Sequence, residues 1–471
     1  MAQPMSLSKR LLFCVPAFAA TLLAAALDDS TRRLAHDIFQ QLIEINTTDS
    51  VGSTTAAADA MAKRLLDAGF PQADVKVLGP NSRNGNMVAR IHGSGGASLK
   101  PILIIGHLDV VEARREDWST DPFRFIEKDG YYYGRGTQDM KVDDAALVTT
   151  FIRFHREGYR PDRDLILALT ADEEGGNFNG VDWLLKNHRD LIDAAFVLNA
   201  DAGGVTTDHG KPVDVDVEAS EKQYADFRVS ATNPGGHSSL PVPDNAIYHV
   251  TDALSRLEHY AFPVELNGIT RTYFERRAPL EPAQVKADMN ALLHNPPDAA
   301  AVARLSEDPR YNSIMRTTCV ATRLNAGHAN NALPQRASAN INCRIFPGET
   351  VEGTQAALAA AIGDAGAKLS PVPPIRPLAI APTLDPKIIK PAEELVAKYF
   401  PGVPLVPSMS TGATDGIFLE AIGIPVYGAP GGWGDPDGNG VHGLNERRGE
   451  RSLFVGRDFL TDLVKKYAEA E

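Results

Sequence analysis

The run "PILIIGHLDVVEA", residues 101–113, restricts the fold more than any other stretch of this chain. Four aliphatic residues between Pro101 and Gly106 leave no polar face, the pattern of a strand covered on both sides in a parallel or mixed sheet. "MVARIHG", "DLILALT" and "AAFVLNA" are further short apolar runs bounded by turn residues, and stretches such as "RRLAHDIFQQLIEI" and "AAADAMAKRLLDAG" carry the helical period. The alternation predicts an α/β fold with a mixed sheet flanked by helices. Three of the runs end in chemistry: His107 and Asp109, Glu173 and Glu174, and Asp201. That edge of an open α/β sheet is where ligands bind. If the extended conformation continues, His107 and Asp109 point to one side. A carboxylate behind an imidazole fixes the tautomer of a metal-binding histidine.

A chain of 471 residues is too long for one hydrophobic core. Near Lys222 the texture changes: "YADFRVSA", a helix around 245–259, "TCVATRL" and "SANINCRIF" predict a smaller α+β unit, with a long helical insertion over 263–315. The proline-rich "SPVPPIRPLAIAPTLDP", from Ser370, reads as the connection back. The expected division is a catalytic domain over 28–221 and 379–471, interrupted by an inserted domain over 222–378.

Residues 1–27 carry Lys9 and Arg10, an apolar run, and small residues at Ala24–Ala26. That is the layout of a secretory signal peptide, predicting a secreted or periplasmic protein with no stable membrane span after processing. Removal of Cys14 with it leaves Cys319 and Cys343, both in strand-like stretches able to pair as a hairpin. In an oxidising compartment a disulfide between them is expected. The formal net charge of -13 argues against nucleic acid as a partner, because phosphate binding needs a basic footprint.

Two glycine-rich loops add Asp139, in "YYYGRGTQDMK", and His442, in "GGWGDPDGNGVHGLNER". Singly, each polar residue has an ordinary explanation as a cap, a turn or a solvated loop. Together they crowd negative charge at one sheet edge, which divalent cations would relieve. Two histidines and three carboxylates suit a pair of zinc ions. A carboxylate bridging the pair leaves one glutamate of "DEEGG" free as general base.

The motifs "GHLDVV", "YGRGTQDMK", "DEEGG", "NADAGG", "PGGHSS", "NALPQRASANINCRIFPG" and "VHGLNE" occur in one order over nearly everything after the leader. On them the chain resembles the zinc metallopeptidase family that includes carboxypeptidase G, aminoacylase, succinyl-diaminopimelate desuccinylase, carboxypeptidase S and carnosinase. The resemblance implies a di-zinc exopeptidase-type catalytic domain interrupted by a lid and dimerisation domain. It implies two Zn2+ per chain, with Co2+ or Mn2+ able to occupy similar sites. His107, Glu174, Asp201 and His442 become metal ligands, Asp139 their bridge, Asp109 the carboxylate behind His107, and Glu173 the base. It also implies a cis peptide bond after Asp139. His237 is implied to stabilise the oxyanion, in some members from a partner subunit. Asn331, Arg344, Thr411 and Gly412 are implied to contact substrate. The implied substrate is a small peptide with a free carboxylate, or else an N-acyl amino acid, and the implied assembly is a homodimer through the lid.

Two features depart from the family pattern. Asp143 and Asp144 stand where many members have small residues; they read as helix caps, or else as an added acid near the metals. The insertion over 263–315 exceeds the compact lids of smaller members. Neither "SMSTG" nor "GGHSSL" supplies the G-x-S-x-G elbow of a serine hydrolase. A solute-binding protein remains the non-enzymatic alternative.

Overall fold

The computed structural model describes residues 15–469, apart from 97–98, 364 and 439. The leader expected over 1–27 lies outside the described residues, save for the backbone of the helix Val15–Glu44 that begins within it. Among the described residues, no helix is long and apolar enough to cross a membrane.

The fold is mixed α/β, with several sheets. The largest has six strands in the order Val75–Leu78, Asn86–Ile91, Leu165–Thr170, Ile102–His107, Phe196–Asn199 and Val426–Tyr427. Ile102–His107 lies at its centre, parallel to both neighbours, and every residue in it is buried. Its side chains divide between two cores with the two-residue period of a strand. Ile102 and Ile104 pack under the helices Val15–Glu44, Thr54–Asp67 and Lys141–Glu157, against Phe39, Met61 and Leu147. Leu103 and Ile105 face the other way, against Val181, Leu184 and Leu419. Truncating Ile104 to alanine in such a packed layer costs about 2–5 kcal/mol.

The long strand Lys211–Glu221 pairs in parallel with Leu405–Ser410. After Lys222 the chain passes directly into Gln223–Thr232, a central strand of an antiparallel four-stranded sheet. The order there is Thr318–Ala326, Arg336–Ile345, Gln223–Thr232 and Lys368–Val372. One face buries Phe227, Val229, Ile341 and Ile345 under the helices Ala246–Glu258 and Val351–Ile362. Cys319 and Cys343 are direct cross-strand partners and form the disulfide.

The proline-rich connection starts later than its composition predicts. Ser370, Pro371 and Val372 belong to the edge strand, opposite Arg228, Phe227 and Asp226. An edge strand accepts Pro371 because only one of its sides needs a ladder of N–H donors. The helical insertion is four short helices, Gly268–Arg277, Ala283–Leu292, Ala299–Leu305 and Pro309–Ile314. They bury a small core of their own around Phe274, Met289, Leu292 and Met315.

Candidate metal centre

His107 closes the central strand and is buried. Its Nδ1 lies 3.0 Å from the backbone carbonyl of Asp109, which places the ring proton on Nδ1 and turns Nε2 outward. Nε2 meets Asp139 Oδ1 at 3.1 Å, Asp201 Oδ1 at 3.6 Å and Glu173 Oε2 at 3.9 Å. Asp139 precedes the helix Lys141–Glu157 across a cis peptide bond to Met140, at the position the resemblance implies. Its other oxygen, Oδ2, lies 3.1 Å from His442 Nε2. His442 Nε2 in turn lies 2.9 Å from Glu174 Oε2. The two oxygens of one aspartate therefore face two different imidazoles, one closing the central strand and one in a loop 303 residues beyond Asp139.

Gly106 explains why the apolar run ends as it does. A Cβ there would overlap Asp144 Oδ1 and come within 2.9 Å of Met140 Cε. Only glycine lets the start of the next helix approach the strand just before His107.

The electrostatics are unbalanced without a cation. The carboxylates of Asp109, Asp139, Glu173, Glu174 and Asp201 gather around two imidazoles. Burial pushes Asp109 up to about 7, against the pull of His107. Burial also drives Glu173 well above the usual carboxylate range, with Asp201, Asp415 and Asp109 adding to the rise. Asp139 goes the other way: burial would raise it, but the facing imidazoles of His107 and His442 lower it further than burial raises it. His442 is pushed up to about 10 by Asp139 and Glu174. One ring N–H cannot serve oxygens of both Asp139 and Glu174, and His107 Nε2 faces carboxylates with its proton on the other nitrogen. The nitrogen and carboxylate donors of this cluster fit divalent cations. Donor atoms of His107, Asp139 and Glu174, and separately of His107, Glu173 and Asp201, lie within 4.8 Å of one another.

One expectation needs refining and one correcting. The strand stops at His107, so Asp109 meets Nδ1 most closely through its backbone carbonyl, with its carboxylate Oδ1 behind at 3.8 Å. That carboxylate also accepts the N–H of Glu173 at 3.1 Å and of Glu174 at 2.9 Å, fixing the acidic loop. Asp143 and Asp144 are not caps. The helix starts at Lys141 with Met140 in the cap position, so both acids fall in the first turn and point inward. Neither oxygen of Asp144 has a hydrogen-bond partner, and both aspartates rise in pKa through burial.

Sequence reading missed the residues that hold the loops. Glu446 is fully buried and pairs with Arg135 Nη1 at 2.7 Å. It also accepts the N–H of Gly136 at 3.1 Å, Gln138 at 2.6 Å and Asp139 at 3.2 Å. Arg135 returns to Gly443 O at 2.8 Å, beside His442. Asp415 accepts from Thr170 Oγ1 at 2.7 Å and from Asn179, tying "STGATDG" to the end of the strand before Glu173. An acid four residues past His442 was the available signal for Glu446, and only its burial gives it meaning.

The other expected residues stand apart from the cluster. His237 is exposed, in a two-residue strand opposite Ala332, with Ser239 Oγ 2.7 Å from its Nδ1. Asn331 is its neighbour, its carbonyl accepting from Ser238 N at 3.1 Å. Arg344 lies over the ring of Tyr224 at 4.8 Å, and Glu221 and Glu173 are among the charges acting on it. Thr411 is exposed, and Gly412 donates its N–H to Ser410 Oγ at 3.1 Å.

This fold with this cluster defines a class, the hydrolases that work with two divalent metals at the carboxyl edge of an α/β sheet. The chain belongs to peptidase family M20/M25/M40, whose model matches residues 103–466. It is similar to the N-fatty-acyl-amino acid synthase/hydrolase PM20D1 of Homo sapiens, 30% identical over 386 residues, covering 78% of this chain and 74% of that protein. The probable carboxypeptidase S-like 2 of Dictyostelium discoideum is 29% identical over 380 residues, covering 78% and 72%. The M20 family metallo-carboxypeptidase Sso-CP2 of Sulfolobus solfataricus shares the fold with a TM-score of 0.72 at 18% identity, over 92% of this chain and 99% of that one. So does the Bacillus subtilis YXEP protein, a dinuclear metal-binding M20 peptidase, with a TM-score of 0.58 at 13% identity over 93% and 98%.

Proposed function

We propose that the chain is a metal-dependent exopeptidase, hydrolysing the peptide bond of dipeptides or short peptides that carry a free carboxylate. The observation that carries this reading is Asp139, whose two oxygens each face a different imidazole at 3.1 Å. In this reading His107, Asp201, His442 and Glu174 would hold the ions, with Asp139 shared between them. Zinc is the proposed metal, and Co2+ or Mn2+ share its nitrogen and oxygen donors. When bound, such a pair polarises the scissile carbonyl and lowers the pKa of the attacking water.

The chain's own groups do the rest. Glu173 takes the proton of the water and passes it to the leaving nitrogen. Asp109 keeps Glu173 and Glu174 aimed by holding both of their N–H groups. Arg344 grips the substrate carboxylate with its planar fork, and Asn331, Thr411 and Gly412 bound the pocket. His237 donates to the oxyanion. The exposed setting of His237 and Asn331 suits a lid, spanning 222–378, that closes onto substrate and joins a homodimer. The N-terminal layout supports export through a cleaved leader, 1–27.

A second reading, an N-acyl-amino-acid hydrolase, is favoured by the relatives named for N-fatty-acyl-amino acids. The same chemistry serves both, and a panel of dipeptides and N-acyl amino acids ranks them. The test is that panel run with metal-loaded enzyme, chelated enzyme and Glu173→Ala. Two zinc ions retained by Glu173→Ala with turnover nearly abolished is the expected result. Substantial residual turnover would overturn the role of Glu173.

A further inference from the structure

The lid sheet turns a polar face to the side on which Arg344 lies. Cross-strand register sets Tyr224 beside Arg344, Asp226 beside Asn342 and Arg228 beside Asn340. On the other flank of Asn340 stands Arg323, past a register shift that also brings Thr322 Oγ1 to 3.0 Å from Asn340 Nδ2. All of these but Arg344 line a hollow of about 670 Å3. It begins at Tyr224, the ring beneath the Arg344 guanidinium.

The charges in this hollow are uneven. Asp226 is already engaged by the Tyr224 hydroxyl at 2.7 Å, Asn340 at 2.8 Å and Asn342 at 3.0 Å. Arg228 and Arg323 are exposed, and among the described residues no carboxylate pairs with either. In a chain of net charge -13, two exposed arginines flanking Asn340 on the wall of a polar hollow make a local positive patch that attracts anions.

We propose that Arg228 and Arg323 form a second anion subsite, and that the preferred substrates carry a second negative group on their acyl side. This rests on the reading in which Arg344 holds the terminal carboxylate. The row of Arg228 and Arg323 lies four residues along the strand from Arg344, about 13 Å at the usual rise. No amino-acid side chain spans that distance from its own carboxylate, so the second anion belongs to the acyl part. An ω-carboxyacyl chain reaches it, and the largely polar floor gives its terminal charge partners that a neutral fatty chain cannot use.

The test titrates zinc-loaded Glu173→Gln protein with N-suberoyl-leucine and with N-octanoyl-leucine, equal in chain length and differing in the terminal charge. Suberoyl-leucine is expected to bind about tenfold tighter or better, with the advantage shrinking as salt rises. Arg228→Gln/Arg323→Gln should erase the difference, and Arg228→Lys/Arg323→Lys should keep most of it. Equal binding of the two ligands, or a preference surviving in the double glutamine variant, overturns the subsite. Hydrolysis of N-acetyl-leucine and Ala-Leu by unaltered enzyme is measured alongside. Its absence would count against the exopeptidase reading, while the binding comparison still decides the arginines.

Discussion

Glu446 accepts the backbone N–H of Asp139 at 3.2 Å, and the residues stand 307 positions apart in the chain. The same carboxylate pairs with Arg135, and Arg135 reaches Gly443 beside His442. One buried acid thus sets Asp139, the proposed bridge, and a histidine from the other end of the chain in mutual register. Partners of this kind, one step behind the ligands, typically matter 10–100-fold to metal affinity.

Glu446→Gln should therefore weaken zinc binding by about tenfold or more, read by competition with a chromophoric chelator. Glu446→Ala should also destabilise by about 3–5 kcal/mol, since it strands the buried Arg135 charge. Unchanged zinc affinity alongside a lowered Tm would reduce Glu446 to a structural role.

Gly106→Ala tests the close approach behind His107. The added methyl meets Asp144 and Met140, both buried. Overpacking of this kind costs about 1–3 kcal/mol, measurable by urea denaturation. A variant as stable as the parent would show that Asp144 moves aside freely.

Metal removal should lower stability as well as activity. The acids around His107 and His442 repel one another once no cation balances them. Chelation is expected to lower Tm by several degrees, and added zinc to restore it, because a ligand bound only by the folded state stabilises it. A Tm indifferent to chelator and zinc would contradict the charge argument.

Glu420 offers a pH test away from the metal ligands. Burial, reinforced by Glu221, pushes it up to about 10. Across the range between its ordinary carboxylate pKa and that value, the folded chain keeps a proton the unfolded chain has lost. Stability therefore falls as pH rises through this window. Glu420→Gln removes that contribution, so its Tm should decline less between about pH 5 and pH 9, with a gap on the order of 5 kcal/mol at the alkaline end. Parallel pH profiles would show that Glu420 is ionised in the folded state.

Much of the fold was legible in the chain itself. The continuous apolar runs of Ile102–His107 and Leu165–Thr170 had no way to form a half-exposed strand, and both are buried throughout. The residues brought together around Asp139 were legible too, because imidazoles and carboxylates at strand ends have few other uses in such a number. The pairing of Cys319 with Cys343 needed only two strand-like stretches and an oxidising setting.

Other features arose only with the tertiary structure. Ser370–Val372 joins a sheet because Gln223–Thr232 offers it an unpaired edge, and composition alone had marked it as linker. Asp143 and Asp144 face inward because the helix begins at Lys141 against Gly106, a contact between distant segments. Glu446 and the pair Arg228–Arg323 acquire meaning from burial and cross-strand register. Local sequence determines which residues are apolar, charged or able to bind metal. Which charges end up buried, paired or left facing a hollow is decided by long-range packing, since desolvation and distance exist only once the chain has folded.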